Sequence, residues 1–509
     1  MALDLVALER ALDALPQRFK GPGGVAGVVH EGRVIARRAW GFADLNARRA
    51  LTAQTLLPIC SITKQFTCAL LLDQIGDPAV LDAQVRAFLP DFTDPLPTVR
   101  QLCDNQSGLR DYWALTVLHG AAPEGLFRRE DAAPLIARMK TGHFPAGTAY
   151  SYCNCNYRIL SDMIEAGTGR DLGDLYAERI FAPAGMATAR LLPDTRVNAD
   201  GVVGYEGNDE VGFLPAVNGI HWRGDAGISA SLDDMLAWEA FIDATRDDGT
   251  GLYRRLTGPA KYGDGTPASY GYGLRHDVVA GVKTTGHGGA LRGFRAHRLH
   301  AASERLSVVV MFNHEAAASA ATAALMEAAL GYQSPDAPVV PVGWDGIWLD
   351  EANGLLVRTV QDAGGVVLRY APSPSRLTVA ADGVARGGGV TLTRTGEGLT
   401  MLRPAENMVV RARALVPGGA AISGRFWCDE VQAEMVVESR DGALFAGFDG
   451  MLGQGPMERM YPVSEGLWVI TTRRSMDAAA PGDWTVLALP DGGLQVGCWL
   501  ARGLRYRPL

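Results

Sequence analysis

The chain has 509 residues, too many for one hydrophobic core and enough for about two or three domains. Hydrophobic residues make up 47% and charged residues 20%, the balance of a globular protein, and a formal net charge of −8 gives no reason to expect nucleic acid or anionic lipid as a partner. No stretch approaches the roughly twenty apolar residues of a membrane-spanning helix.

The N-terminus carries Asp4 and Glu9 among its apolar residues and has neither a basic leader nor an apolar core. It predicts an amphipathic helix rather than a secretory signal, so a cytoplasmic location is expected. Alternation over residues 25–30, a Glu31-Gly32 turn and a second run over 34–40 predict a β-hairpin. Residues 59–76 have helical periodicity, and helices are predicted over 158–166, 172–180 and 232–245. Near residue 284 the pattern returns to strand. Residues 294–299 and 306–312 are extended and apolar, and an Ala-rich helix is predicted over 316–330. The expected class is α+β: a sheet made from both ends of this segment, with a helical cluster inserted between them.

Pro335, Pro338 and Pro341 stiffen a linker at 334–342. Beyond it come short strands and Gly-rich turns, the pattern of small antiparallel β-barrels or sandwiches. A weak repeat, Gly346-Ile347-Trp348-Leu349-Asp350-Glu351 against Gly424-Arg425-Phe426-Trp427-Cys428-Asp429-Glu430, points to two such modules. The expected domains are 1–333, 343–419 and 420–509. The seven cysteines (Cys60, Cys68, Cys103, Cys153, Cys155, Cys428 and Cys498) are expected to be free thiols, and Cys153 and Cys155 have no second pair at zinc spacing. No metal or other cofactor is expected.

Three short motifs could carry chemistry. In Cys60-Ser61-Ile62-Thr63-Lys64, Ser61 and Lys64 share one face of a helix, so the ammonium can approach the hydroxyl near the helix N-terminus. Read alone, the same residues also fit an N-capping serine followed by an exposed lysine. Tyr150-Ser151-Tyr152-Cys153-Asn154 would add a phenol and an amide. Near a lysine cation the Tyr152 phenol would ionise more readily and could accept and return a proton, while Tyr150 fits a buried packing residue. In Lys283-Thr284-Thr285-Gly286-His287-Gly288-Gly289-Ala290, small residues would let an edge strand approach a substrate backbone. A backbone N–H near Ala290 could then pair with that of Ser61 as an oxyanion hole, with His287 facing the site or simply packing.

Ser-x-x-Lys, Tyr-x-Asn and His-x-Gly, in this order and at these separations, resemble the penicillin-recognising serine hydrolases: class C β-lactamases, DD-carboxypeptidases and related esterases. Asn105-Gln106-Ser107-Gly108-Leu109, Ile180-Phe181-Ala182-Pro183-Ala184-Gly185-Met186 and Asp225-Ala226-Gly227-Ile228-Ser229 extend the resemblance over roughly residues 20 to 330. The whole chain is similar to the D-stereospecific aminopeptidases within that group, in which two C-terminal β-barrels follow the catalytic domain. The phrases Asp111-Tyr112-Trp113-Ala114-Leu115 and Cys498-Trp499-Leu500-Ala501-Arg502-Gly503 carry this narrower likeness. His287 stands where most β-lactamases have a lysine, and a neutral side chain suits a substrate with no carboxylate at that point.

The resemblance implies a serine aminopeptidase that releases N-terminal D-residues, D-Ala and other small ones, from peptides, amides and esters. Ser61 would be the nucleophile, Lys64 and Tyr152 the proton-transfer pair, and His287 an assistant. Asn154 would orient Lys64 and the substrate amide. Asp225, Gly289 and Ala290 would belong to the substrate-binding set. A loop of the last barrel, residues 474–484, would enter the cleft, with Asp477 binding the substrate ammonium and Arg295 as its partner across the domain boundary. β-Lactams are candidate inhibitors, and a homodimer is expected. Two alternatives remain open: a DD-carboxypeptidase or β-lactamase-like esterase with the same machinery, and a non-catalytic sensor built on the same fold.

Overall fold

The computed structural model describes residues 3–333, 343–472 and 482–509, apart from 363, 372, 373 and 397. Helix α1 (Leu5–Arg18) is followed by strands β1 (Gly23–His30), β2 (Arg33–Asp44) and β3 (Arg49–Ala50). Then come α2 (Thr63–Ile75), α3 (Tyr112–Leu118), α4 (Asn154–Thr168), β4 (Ile228–Ala230) and α5 (Leu232–Ala244), with short helices and turns between them. Strands β5 (Tyr270–Gly271), β6 (Leu274–Val279), β7 (Val282–Leu291), β8 (Phe294–Ala301) and β9 (Leu306–Phe312) and helix α6 (Ala318–Ala329) complete this part.

The strands form one sheet in the order β5-β6-β7-β8-β9-β1-β2-β3, so the two ends of the segment meet where β9 pairs antiparallel with β1. Side-chain alternation sets its two faces. Ala26, Val28, Val308 and Val310 pack with Leu8, Leu12 and Leu15 of α1 and Ala321 and Leu325 of α6. Val25, Val29, Val309 and Met311 face the inserted helical cluster, among them Phe66 and Trp238. Ser231 starts α5 with a capping box to Asp234, which satisfies the first free N–H groups of the helix. In the buried layer between α5 and β8, Arg298 and Glu239 form a fully enclosed ion pair at 2.5 Å.

The strands between Gly346 and Ala414 form a closed eight-stranded antiparallel barrel, sealed where Trp348 pairs with Ala414. The strands between Gly424 and Pro508 form a second ring, closed by the pairing of Ala433–Arg440 with Ala443–Gly450, with the short strand Gly453–Gln454 added at the side. The sequence repeat opens each barrel, but its register differs from the expected one. Trp348 is buried in its barrel, and the buried aromatic on the matching strand of the second barrel is Phe426. Trp427 instead turns outward to donate to Asp429. Leu452 N–H donates to the carbonyl of His119, and the core of the second barrel is continuous with that of the helical cluster. The first barrel touches the catalytic segment at residues 404–407, where the Ala405 carbonyl accepts from the Tyr262 hydroxyl at 2.7 Å.

Candidate active site

Ser61 lies in a single 3-10 turn, Cys60–Ile62, that runs directly into α2. Cys60 is held at φ 51°, in the left-handed region that side chains seldom adopt. Bonds to β4 fix the turn on both sides: Ile59 N–H donates to the Ile228 carbonyl at 3.0 Å, and Ile228 N–H donates to Thr63 Oγ1 at 3.1 Å. Ser61 is thus presented at the N-terminal end of a helix, where the macrodipole favours negative charge on its oxygen.

Lys64 has 0% of its surface exposed, which rules out the solvated lysine of an ordinary N-cap. Its Nζ lies 3.1 Å from Ser61 Oγ, 2.7 Å from Asn154 Oδ1 and 2.7 Å from the Asp225 carbonyl oxygen. A buried ammonium is costly unless hydrogen-bonded, and these oxygens supply acceptors. The Tyr152 and Tyr157 rings stand 4.7 and 5.2 Å from the same nitrogen. Asn154 opens α4, and its Nδ2 donates to Asp111 Oδ2 at 2.9 Å. That bond turns the amide oxygen toward Lys64.

β7 closes the other side. A Cβ added to Gly289 would lie 2.1 Å from the Ile59 carbonyl oxygen, so the strand meets the Ser61 turn backbone to backbone. Ala290 follows directly. His287 Nδ1 is 2.5 Å from the Gly288 carbonyl, which can only accept, so that nitrogen carries the proton. Nε2 is then the acceptor for the Tyr270 hydroxyl at 3.0 Å. Burial, and after it the Lys64 charge, holds His287 well below the usual histidine range, so the imidazole is neutral. Burial likewise keeps Tyr157 and Tyr270 protonated, with their pKa values well above the ordinary tyrosine value.

Residues 8–333 match the β-lactamase family model, and residues 339–507 match that of D-aminopeptidase domain B. The chain is 63% identical over 514 residues to a D-aminopeptidase of Cereibacter sphaeroides, covering 99% of both chains. It is 50% identical over 522 residues to a D-aminopeptidase of Brucella melitensis, covering 100% of this chain and 99% of the relative. The chain belongs to the D-aminopeptidase family. Its fold also matches the octameric penicillin-binding protein homologue from Pyrococcus abyssi, at 16% identity and a TM-score of 0.55 over 99% of each chain.

In this member of the D-aminopeptidase family, Ser61, Lys64, Tyr152, Asn154 and the Gly289 backbone surround one small volume. Three expectations need correction. His287 is near the site, but both ring nitrogens are engaged and burial disfavours its charged form, so it is placed as a fixed neutral group rather than a proton carrier. Asp225 is buried, and its carboxylate accepts from the Tyr112 hydroxyl at 2.7 Å and the Arg223 N–H at 2.8 Å, leaving its carbonyl to Lys64. It supports the site from beneath instead of lining the opening. Among the described residues Arg295 pairs with Glu315 at 2.9 Å, because the β9 end brings that carboxylate beside it. β7 is not an edge strand along its whole length: β6 pairs with it from Val282 to Gly286, and only the half from His287 onward is left to face Ser61. Asp477 lies outside the described residues.

Two residues next to the site, Tyr270 and Asp111, have no role assigned by the sequence. Tyr270 sits in the run Tyr270-Gly271-Tyr272-Gly273, whose spacing of aromatics and glycines was the available signal. Asp111 opens the run Asp111-Tyr112-Trp113-Ala114-Leu115, but nothing in that run indicates which side chain it meets.

Proposed function

We propose that the chain is a serine aminopeptidase that releases N-terminal D-residues, D-Ala and other small ones, from peptides, amides and esters. The observation that carries the chemistry is the 3.1 Å approach of Ser61 Oγ to the enclosed Lys64 Nζ. Two carbonyl oxygens, from Asn154 and Asp225, take two of the lysine hydrogens. In the neutral amine the lone pair then faces the serine proton. Ser61 Oγ attacks the first peptide carbonyl, and its proton passes to the Lys64–Tyr152 pair. The oxyanion is held by the N–H groups of Ser61 and Ala290. Tyr152 returns the proton to the leaving amine as the C–N bond breaks, and water hydrolyses the resulting ester.

The D-aminopeptidase relatives support the substrate class. The neutral His287 supports a substrate without a carboxylate at that position, and so disfavours the carboxypeptidase reading. A pocket that fixes amine and carbonyl discriminates between D- and L-residues by steric clash at Cα. β-Lactams would act as inhibitors by acylating Ser61. The homodimer and the cytoplasmic location are part of the proposal, to be checked by light scattering and cell fractionation. Among the described residues, no helix is long and apolar enough to cross a membrane.

The test is a panel of D- and L-aminoacyl p-nitroanilides, with free and acetylated amines, run on the wild type and Ser61→Ala. D-Ala p-nitroanilide with a free amine should be cleaved, its acetylated and L counterparts should not, and Ser61→Ala should lose roughly 10⁴-fold or more of kcat. Nitrocefin hydrolysis without cleavage of D-Ala p-nitroanilide would move the chain to the β-lactamase-like alternative.

A further inference from the structure

Asp111 links three parts of the molecule. Its backbone N–H donates to the Leu500 carbonyl of the second barrel at 2.9 Å. One carboxylate oxygen accepts from Trp113 N–H at 2.9 Å, at the start of α3. The other accepts from the Asn154 backbone N–H at 2.5 Å and from Asn154 Nδ2 at 2.9 Å. Asn154 Oδ1 in turn accepts from Lys64 Nζ at 2.7 Å. All three side chains are buried.

We propose that Asp111 is a positioning residue for the Ser61–Lys64 pair, and that the second barrel, through the Leu500 carbonyl, is what holds Asp111 in place. The inference rests on the acyl-transfer reading above. An amide side chain can present either its oxygen or its NH₂ to a neighbour. A carboxylate accepts only, so with Asp111 on one side Asn154 must direct Nδ2 toward it and Oδ1 toward Lys64. Asp111 also supplies a buried negative charge one residue removed from the ammonium, which stabilises the charged form of Lys64.

Among the described residues, the other groups facing Lys64 include Ser61, the Tyr152 and Tyr157 rings, the Asp225 carbonyl and, at longer range, the neutral His287. The neighbouring segment is clamped to the same barrel. Arg110 Nε donates to the Arg502 carbonyl at 2.9 Å, and Arg110 Nη1 pairs with Glu430 at 3.1 Å.

The test measures kcat and KM for D-Ala p-nitroanilide across pH in the full-length chain, per active site counted by labelling with a fluorophosphonate. Asp111→Asn allows the Asn154 amide to turn and removes the charge. It should lower kcat by about 10²-fold, the loss that a misplacement of about 1 Å can cause. KM should be little changed, and the limb of the kcat profile that reports Lys64 should move to lower pH. Asp111→Glu keeps the charge, so kcat should fall while that limb stays in place.

In an Asn154→Ala background, where the arm is already gone, Asp111→Asn should add little further loss. A folded Asp111→Asn enzyme with wild-type kcat and an unmoved limb overturns the proposal, as do fully additive losses in the double variant. If Asp111→Asn does not fold, the cycle is run with Asp111→Glu, and full additivity there has the same meaning. Undiminished turnover by Ser61→Ala, run in parallel, would instead remove the acyl-transfer reading itself.

Discussion

Gly289→Ala puts the contact between β7 and the nucleophile turn to a direct test. Gly289 is in ordinary extended backbone, so alanine brings no torsional strain, only a methyl group. That methyl would lie 2.1 Å from the Ile59 carbonyl oxygen, 3.0 Å from the Ile59 carbonyl carbon and 3.1 Å from Cys60 Cβ. A relaxed C···O contact is about 3.3 Å, so strand and turn must separate by about 1.2 Å. Both sides are backbone, and the Cys60 turn is already in an uncommon conformation, so little can yield locally. The separation pulls Ala290 away from Ser61, and loss of one oxyanion donor costs about 3 kcal/mol, or 10²- to 10³-fold in kcat. Gly288→Ala is the control, since its methyl would meet the His297 ring edge at 3.3 Å and the Ala296 carbonyl oxygen at an ordinary 3.8 Å. Steady-state kinetics on D-Ala p-nitroanilide should show a fall in kcat of about 10²-fold for Gly289→Ala, with near wild-type values for Gly288→Ala. Wild-type kcat in a folded Gly289→Ala enzyme would refute the reasoning.

Glu239→Gln leaves the fully enclosed Arg298 without its counter-charge, with Tyr253, Gln65 and the new amide oxygen as neutral partners, and should destabilise the fold by about 3–5 kcal/mol, read from urea unfolding. Glu430→Ala strips Arg110 of its carboxylate and frees the Lys140 and Thr141 N–H groups, so the second barrel should be cut faster in limited proteolysis. Burial holds His300 down at about 4. The unfolded chain therefore binds the extra proton between about pH 6.5 and 4, and stability from this group is full above that window and lost on acidification through it. His300→Asn should remove about 2.4 kcal/mol of the difference between unfolding free energies, from urea titrations, at about pH 7 and about pH 4.5. An unchanged difference would count against the assignment.

Where one residue reports its own environment, the sequence was readable. The apolar run Val25–Val29 marks a strand and is buried on both faces, and 306–312 is found as strand over the same residues. Ser61 and Lys64 meet because helix geometry places i and i+3 together, which needs no tertiary information. What was not legible depends on contacts between distant segments. Asp111 and Asn154 are 43 residues apart, and only packing aims one at the other. Arg295 could serve any carboxylate, and only the fold shows that β9 ends with Glu315 beside it. The Trp348 and Trp427 repeat matched letters one position off, and a shift of one residue in a strand moves a side chain to the opposite face.

The central claim, that Ser61 is the nucleophile activated by Lys64, is tested most directly by mass spectrometry of the covalent adduct formed with a fluorophosphonate. The account predicts a single modification on Ser61 that vanishes in Ser61→Ala and forms far more slowly in Lys64→Met. Labelling of the adjacent Cys60, or a wild-type labelling rate in Lys64→Met, would contradict it.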